Sequence, residues 1–147
     1  TEMTSKLIRP PYLKPGDTVA IVAPSGILKN REREVNQAVD LLKSWGLHAV
    51  VGKHVFSKAD HFAGTDEQRC EDLQKAMDDP TISAIWCARG GYGTVRILDK
   101  LDYTKFRKYP KRATERRSRI SQFLPLFHFC LALFSNFISL FSFVFSL

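Results

Sequence analysis

The formal charge of this chain changes abruptly along its length, and that change limits what the chain can fold into. Thr1–Thr104 has as many acidic as basic residues, whereas Lys105–Arg119 has eight Lys or Arg and a single Glu. This short segment therefore carries the entire net charge of +7. Ile120–Leu147 has no Asp, Glu, Lys or Arg, and 20 of its 28 residues are Phe, Leu, Ser or Pro. The 147 residues are one domain-sized segment followed by segments of different character, so a single uniform globular domain is excluded.

Short apolar runs and helical periodicity alternate through the first hundred residues. The runs predict strands at Thr18–Ala23, His48–Val51 and Ile82–Ala88. Apolar residues at helical spacing predict a first helix from about residue 29 to 44 and a third that begins at Val95. A capping box at Thr65–Gln68 predicts the start of the second helix, which ends before Pro80.

This β-α-β-α-β-α order predicts an α/β fold, a parallel sheet of three or slightly more strands with helices on both faces. Ligands of such sheets bind outside the carboxyl ends of the strands. The turns Pro24–Gly26 and Arg89–Gly93 each follow a predicted strand at that edge. We therefore expect Ser25, Arg89 and Tyr92 to line a common crevice.

The adjacent glycines Gly90 and Gly91 let the backbone approach a ligand and direct N–H groups towards it. Such a turn binds an oxyanion or a phosphate, or it is a plain strand-to-helix turn. Arg96 stands where a dinucleotide fingerprint needs its third glycine, and the chain has no Gly-Lys-Ser/Thr for a phosphate-binding loop. Nucleotide binding is therefore disfavoured.

Other functional signals are weak. No Gly-x-Ser-x-Gly elbow occurs, and Ser25 is either a crevice residue or a turn residue with local hydrogen bonds. The three cysteines are odd in number and widely spaced, which fits no disulfide framework and favours a reducing compartment. The histidines lack metal-ligand spacing, so no metal is expected. The basic segment could neutralise phosphates, but it has few interleaved aromatics, so nucleic acid is not the expected partner.

Three motifs resemble the N-terminal domain of the LD-carboxypeptidases, serine peptidases that include murein tetrapeptide carboxypeptidase and the microcin-immunity peptidases. They lie at Pro10–Ser25, Phe62–Arg69 and Ile85–Gly93. The resemblance implies a cytoplasmic bacterial hydrolase that removes the terminal D-alanine from L,D-linked murein tetrapeptide in peptidoglycan recycling, without metal or cofactor and with a tendency to form homodimers. It also implies that Gly90 or Gly91 donates a backbone N–H to the oxyanion hole.

The resemblance fails after Lys111. There the family has a short strand that leads into a Gly-x-Ser-Asp elbow carrying the nucleophile, and a second domain that supplies a Glu and a His. Here Arg112–Arg119 follows, so we name no catalytic residue and expect the chain as written to be inactive. The expected organisation is a domain over residues 1–111, a basic linker over 112–119 and an apolar tail over 120–147. The alternative function is a membrane-tethered module that binds murein peptide without cleaving it.

Three interpretations of the apolar tail, Ile120–Leu147, are open. It is long enough to span a bilayer, although it contains many Ser and other polar residues. It could instead be a buried helix, although its Phe and Leu residues form no clean apolar stripe. The third interpretation is a frameshift or a misjoined gene model, because Phe, Leu, Ser and Pro share all-pyrimidine codons.

Overall fold

A computed structural model of the chain describes residues 10–89 and 91–115. These residues form one parallel sheet with the strand order β2-β1-β3-β4. The strands are β1 (Thr18–Val22), β2 (His48–Val51), β3 (Ile82–Cys87) and β4 (Arg112–Glu115). The helices are α1 (Glu32–Ser44), α2 (Asp66–Asp78), a 3-10 helix (Val95–Lys100) and α3 (Thr104–Lys108).

Helices cover both faces of the sheet, which confirms the predicted α/β fold. Successive residues of a strand point to opposite faces. Val19 and Ile21 of β1 face α1 and share a core cluster with its buried residues, Val35, Ala38 and Leu42. Ala20 and Val22 face the other side and share a cluster with the buried apolar residues of α2, Leu73, Ala76 and Met77.

The predicted capping box starts α2. The Thr65 hydroxyl accepts the Gln68 N–H at 3.2 Å, and the Gln68 side chain accepts the Thr65 N–H at 3.0 Å. Two N–H groups that the first helical turn cannot satisfy are thereby bonded. The chain enters α2 from the carboxyl end of β2, so the amino end of α2 lies at the edge of the sheet where the strands end.

The third helix differs from the prediction. The segment that begins at Val95 is a 3-10 helix, and α3 follows it after a break. The Leu98 carbonyl accepts the Tyr103 hydroxyl at 2.8 Å, and the Asp102 carboxylate accepts both the N–H and the hydroxyl of Thr104. These side-chain bonds end one helix and start the next, whereas the apolar spacing alone predicted a single helix.

The strand β2 is an edge strand and not a buried one. Val50 and Val51 are 48% and 37% exposed, because β2 pairs on one side only, with β1. Its apolar composition alone does not distinguish an edge strand from a central one.

The sheet continues past Lys111, the last residue of the expected domain, into β4. Ala84–Cys87 of β3 pairs in parallel register with Arg112–Glu115. Lys111 and Arg112 are each only 7% exposed. The Lys111 ammonium donates to the Ala76 carbonyl at 2.8 Å and to the Asp79 carbonyl, at the carboxyl end of α2. Arg112–Glu115 is therefore part of the sheet.

Within residues 10–89 and 91–115, no helix is long and apolar enough to cross a membrane. The apolar tail and the second half of the expected linker, residues 116–119, lie outside the described residues.

Candidate functional site

The order of the strands opens a crevice between the ends of β1 and β3. From β1 the chain passes through α1 to β2 on one side, and from β2 it crosses through α2 to β3 on the other. The loops that follow β1 and β3 therefore diverge, as at the ligand-binding switch point of open α/β sheets. The turns Pro24–Gly26 and Arg89–Gly93 lie at this point, as the sequence predicts.

Two side-chain hydrogen bonds join the two turns. The Ser25 Oγ accepts the Gly93 N–H at 2.9 Å, and the Arg89 Nη1 donates to the Ile27 carbonyl at 2.6 Å. Ser25 is only 1% exposed, so its hydroxyl serves this bond inside the protein. The second bond turns the Arg89 side chain back onto the loop after β1.

Glycines on both sides leave room for the close approach of the two turns. Gly91 has φ +143°, and a Cβ at this position would lie 2.6 Å from the Ser25 Oγ. A Cβ at Gly26 would lie 2.9 Å from two side-chain atoms of Arg89. A larger residue at either position would require the Ser25 or the Arg89 side chain to move.

The other predicted site residues differ from Ser25 in their exposure to solvent. Tyr92 is 81% exposed at the tip of its turn, and Arg89 is also exposed. Gly90 lies outside the described residues. His54 bonds to Glu71 at 3.0 Å, and no group of three or more His, Cys, Asp or Glu side chains in the described part of the chain could hold a metal ion.

Arg69 of α2 is a site residue that sequence reasoning missed. It is 1% exposed, and its guanidinium donates to the Pro24 carbonyl at 2.9 Å and to the Gly93 carbonyl at 2.6 Å. It also lies 4.7 Å from the centroid of the Phe62 ring. In the sequence it is the last residue of the Phe62–Arg69 motif and directly follows the capping box, where a surface-exposed arginine is the usual expectation.

Asp66 connects Arg69 to the surface. Its carboxylate contacts the Arg69 guanidinium and pairs with Arg96 at 3.2 Å and Lys100 at 3.7 Å. The hydrogen bond from Arg96 and the charges of Arg69, Arg96 and Lys100 hold the pKa of Asp66 below its ordinary value. Burial lowers the pKa of Arg69, and Asp66 opposes that change. Arginine remains protonated in proteins, so the pair is ionic.

Comparison with known proteins decides the family. Residues 19–114 match the model of the LD-carboxypeptidase N-terminal domain. The chain belongs to the LD-carboxypeptidase family. The matched residues run into β4 and end one residue before its last, Glu115.

Individual LD-carboxypeptidase relatives match the same region. A carboxypeptidase-like protein of Streptomyces coelicolor is 46% identical over 105 residues, which cover 69% of this chain and 33% of the relative. The murein tetrapeptide carboxypeptidase of Pseudomonas aeruginosa is 37% identical over 110 residues, which cover 75% of this chain and 35% of that protein. An MccF-like protein from Bacillus anthracis, whose crystal structure is known, is 31% identical in sequence. The structural match has a TM-score of 0.64 and covers 71% of this chain and 32% of that protein. The chain spans about a third of the length of these relatives.

Proposed function

We propose that this domain supplies the oxyanion-binding turn of a serine-type LD-carboxypeptidase that releases the terminal D-alanine from L,D-linked murein tetrapeptide. The backbone N–H of Gly90 or Gly91 would stabilise the negative oxygen that forms when the nucleophile attacks the peptide carbonyl. The observation that carries this proposal is the bond from Gly93 to Ser25, which fixes the turn against β1 before any ligand arrives. A donor held in place in this way needs no reorganisation during the reaction.

The place of β4 supports this assignment. Glu115 is paired with Cys87, so β4 and β3 end side by side at the edge where the turn Arg89–Gly93 lies. Adjacent strands are about 4.8 Å apart. A nucleophile elbow that followed β4, as the family pattern implies, would therefore stand next to this turn.

We propose that the 147-residue chain by itself binds the peptide without cleaving it. Ser25 is the serine of the crevice, but it is 1% exposed and its oxygen is engaged by the Gly93 N–H. No base is paired with it among the hydrogen bonds of the described residues. Arg116–Arg119 stands where the elbow is expected and lacks the small residues that a sharp elbow needs.

A chimera tests the hydrolytic proposal. Residues 1–115 of this chain would replace the corresponding third of the Pseudomonas aeruginosa murein tetrapeptide carboxypeptidase, which then supplies the remaining two-thirds. We expect the chimera to release D-alanine from murein tetrapeptide and the 147-residue chain to release none. A folded chimera without activity contradicts the proposal.

The variant Gly91→Ala in the same chimera tests the turn itself. We expect kcat/KM to fall by at least about 100-fold, because a Cβ 2.6 Å from the Ser25 Oγ would displace the turn and its N–H donors from the oxyanion. Gly16→Ala is the matched control, because Gly16 also has a positive φ of +91°, but a Cβ there would meet no atom of a non-neighbouring residue within 4 Å. Equal losses in both variants would mean that backbone strain alone reduces activity.

We also propose that the protein works in the cytoplasm and pairs with a second copy of itself. The exposed edge strand β2, with Val50 and Val51 at its surface, supports pairing, since unpaired strand edges readily bind another chain. Val50→Lys should convert a dimer to a monomer in size-exclusion chromatography with light scattering. A wild-type monomer would remove this part of the proposal, and recovery in a membrane fraction would contradict the location.

A further inference from the structure

Arg69 is an unusual residue because it is both charged and almost fully buried. It is 1% exposed, and it is the largest fully buried side chain among the described residues. Removing a guanidinium from water is energetically costly unless its hydrogen-bond donors and its charge are satisfied. A side chain kept at such a cost has a structural or functional reason.

The donors of Arg69 are shared among three separate segments. Nε donates to the Gly64 carbonyl at 3.3 Å, just before α2. Nη1 donates both to Pro24, after β1, and to Gly93, after β3. Nη2 contacts the Asp66 carboxylate. The planar fork of an arginine can serve acceptors in several directions, which a lysine ammonium on a flexible stem does not reproduce.

Gly93 is therefore held by both of its backbone polar groups. Its N–H donates to Ser25, and its carbonyl accepts from Arg69. The Phe62 ring lies directly against the same residue, so close that a Cβ at Gly93 would be 2.7 Å from the ring. The position of the turn relative to β1 is thus set by a side chain of α2, which lies in a different layer of the fold.

We propose that Arg69 is a positioning residue that locks Gly91–Gly93 against the end of β1. It acts through the Pro24 and Gly93 carbonyls and touches no ligand. The structural role of Arg69 does not depend on the proposed function. Only its purpose does, which is to hold the N–H donors of the turn in place for an oxyanion.

Arg96 offers a matched control. Its guanidinium pairs with the same carboxylate of Asp66 and lies 5.3 Å from the centroid of the same Phe62 ring, but it does not bond to either turn carbonyl. It is also largely exposed, so its loss leaves no buried charge. Arg96→Gln removes an arginine from the network and leaves the lock intact.

Hydrogen–deuterium exchange of the full 147-residue chain, with mass spectrometry resolved to single amides, tests the lock. In Arg69→Gln we expect the Gly93 amide to exchange at least about tenfold faster than in the wild type, because two bonds to a charged donor are lost. The amides of β1 and α1 should change by less than about twofold. Arg96→Gln should leave Gly93 within about twofold of the wild type.

Arg69→Lys is the second variant, in case Arg69→Gln does not fold. It keeps the charge beside Asp66 and loses the fork, so Gly93 should still exchange faster than in the wild type. The proposal is overturned if Gly93 is unchanged in every folded Arg69 variant, or if exchange rises equally in β1 and α1, which indicates only a loss of global stability.

A titration separates this inference from the proposed function. Murein tetrapeptide is added to the wild type and to both Arg69 variants, and the dissociation constant is measured by calorimetry. Weaker binding by the Arg69 variants and unchanged binding by Arg96→Gln supports a lock that serves the ligand. If the wild type binds no peptide while the exchange result holds, the lock stands and the peptide proposal fails.

Discussion

The Ser25 hydroxyl oxygen lies 2.9 Å from the Gly93 backbone nitrogen, across 68 positions of sequence. This bond joins the turn after β1 to the turn after β3 at the switch point of the sheet. Both partners are buried in the same crevice wall, so the bond cannot be replaced by water at little cost. The site is therefore built from a contact between two loops, and its geometry depends on how the strands are ordered.

Ser25→Ala should destabilise the domain by about 1–3 kcal/mol, because the Gly93 N–H loses its buried acceptor. Urea unfolding of the full chain measures the change. Ser44→Ala is the control, since the Ser44 hydroxyl bonds only to Leu41 at an exposed helix end. We expect the control to change stability by less than about 0.5 kcal/mol. Equal effects would show that the bond between the turns contributes little.

Lys111→Met should also destabilise the domain by about 1–3 kcal/mol. Lys111 is buried, and its ammonium satisfies the Ala76 and Asp79 carbonyls at the carboxyl end of α2, where a cation is favourable. Methionine preserves the stem and removes the donors. Lys105→Met, at an exposed position of α3, serves as the control in the same unfolding measurement. No difference between the two variants would contradict a role for Lys111 in the fold.

Stability should fall in acid partly through Asp66. Its pKa is lowered in the folded protein, first by the hydrogen bond from Arg96 and then by the nearby cations, from an ordinary value of 3.8. The unfolded state then binds the proton more readily, so the contribution of Asp66 is complete above pH 3.8 and is lost as the pH falls through the lower folded value.

Asp66→Asn checks this acid dependence. The variant should be less stable than the wild type at neutral pH, because Arg69 loses its charged partner, and its free energy of unfolding should vary less below about pH 4. Unfolding followed by circular dichroism, from pH 6 down to the lowest pH at which each protein is folded, gives the free energy of unfolding against pH for the variant and the wild type. Parallel curves at all pH values would contradict the assignment.

Thr65→Ala should cost about 0.5–2 kcal/mol, because the cap of α2 loses its side-chain acceptor. The Gln68 N–H, now bonded to Thr65 at 3.2 Å, would have no helical partner. Thr65→Ser keeps the hydroxyl and should recover most of the loss in thermal unfolding. Failure of serine to restore stability would show that the threonine methyl group, and not the cap, is what matters.

Local patterns predicted the elements that local forces determine. The alternation of β1, α1, β2, α2 and β3 followed from apolar periodicity, because each element buries a face that is visible over a few residues. The capping box was predicted for the same reason, since its two bonds lie within one helical turn. The 3-10 helix was not predicted. Its apolar spacing matches an α-helix, and its end depends on the bond from the Tyr103 hydroxyl to the Leu98 carbonyl.

The sequence alone determined the α/β order, the place of the glycine turn and the family resemblance, because each is a short-range pattern of residue types. Only the tertiary structure decided that β2 is an edge strand, that β4 extends the sheet and that Lys111 is buried. It also decided that Arg69, on α2, holds the turn after β3. These are contacts between residues distant in sequence, and they form because packing two layers on a sheet brings their polar groups together where water cannot replace them.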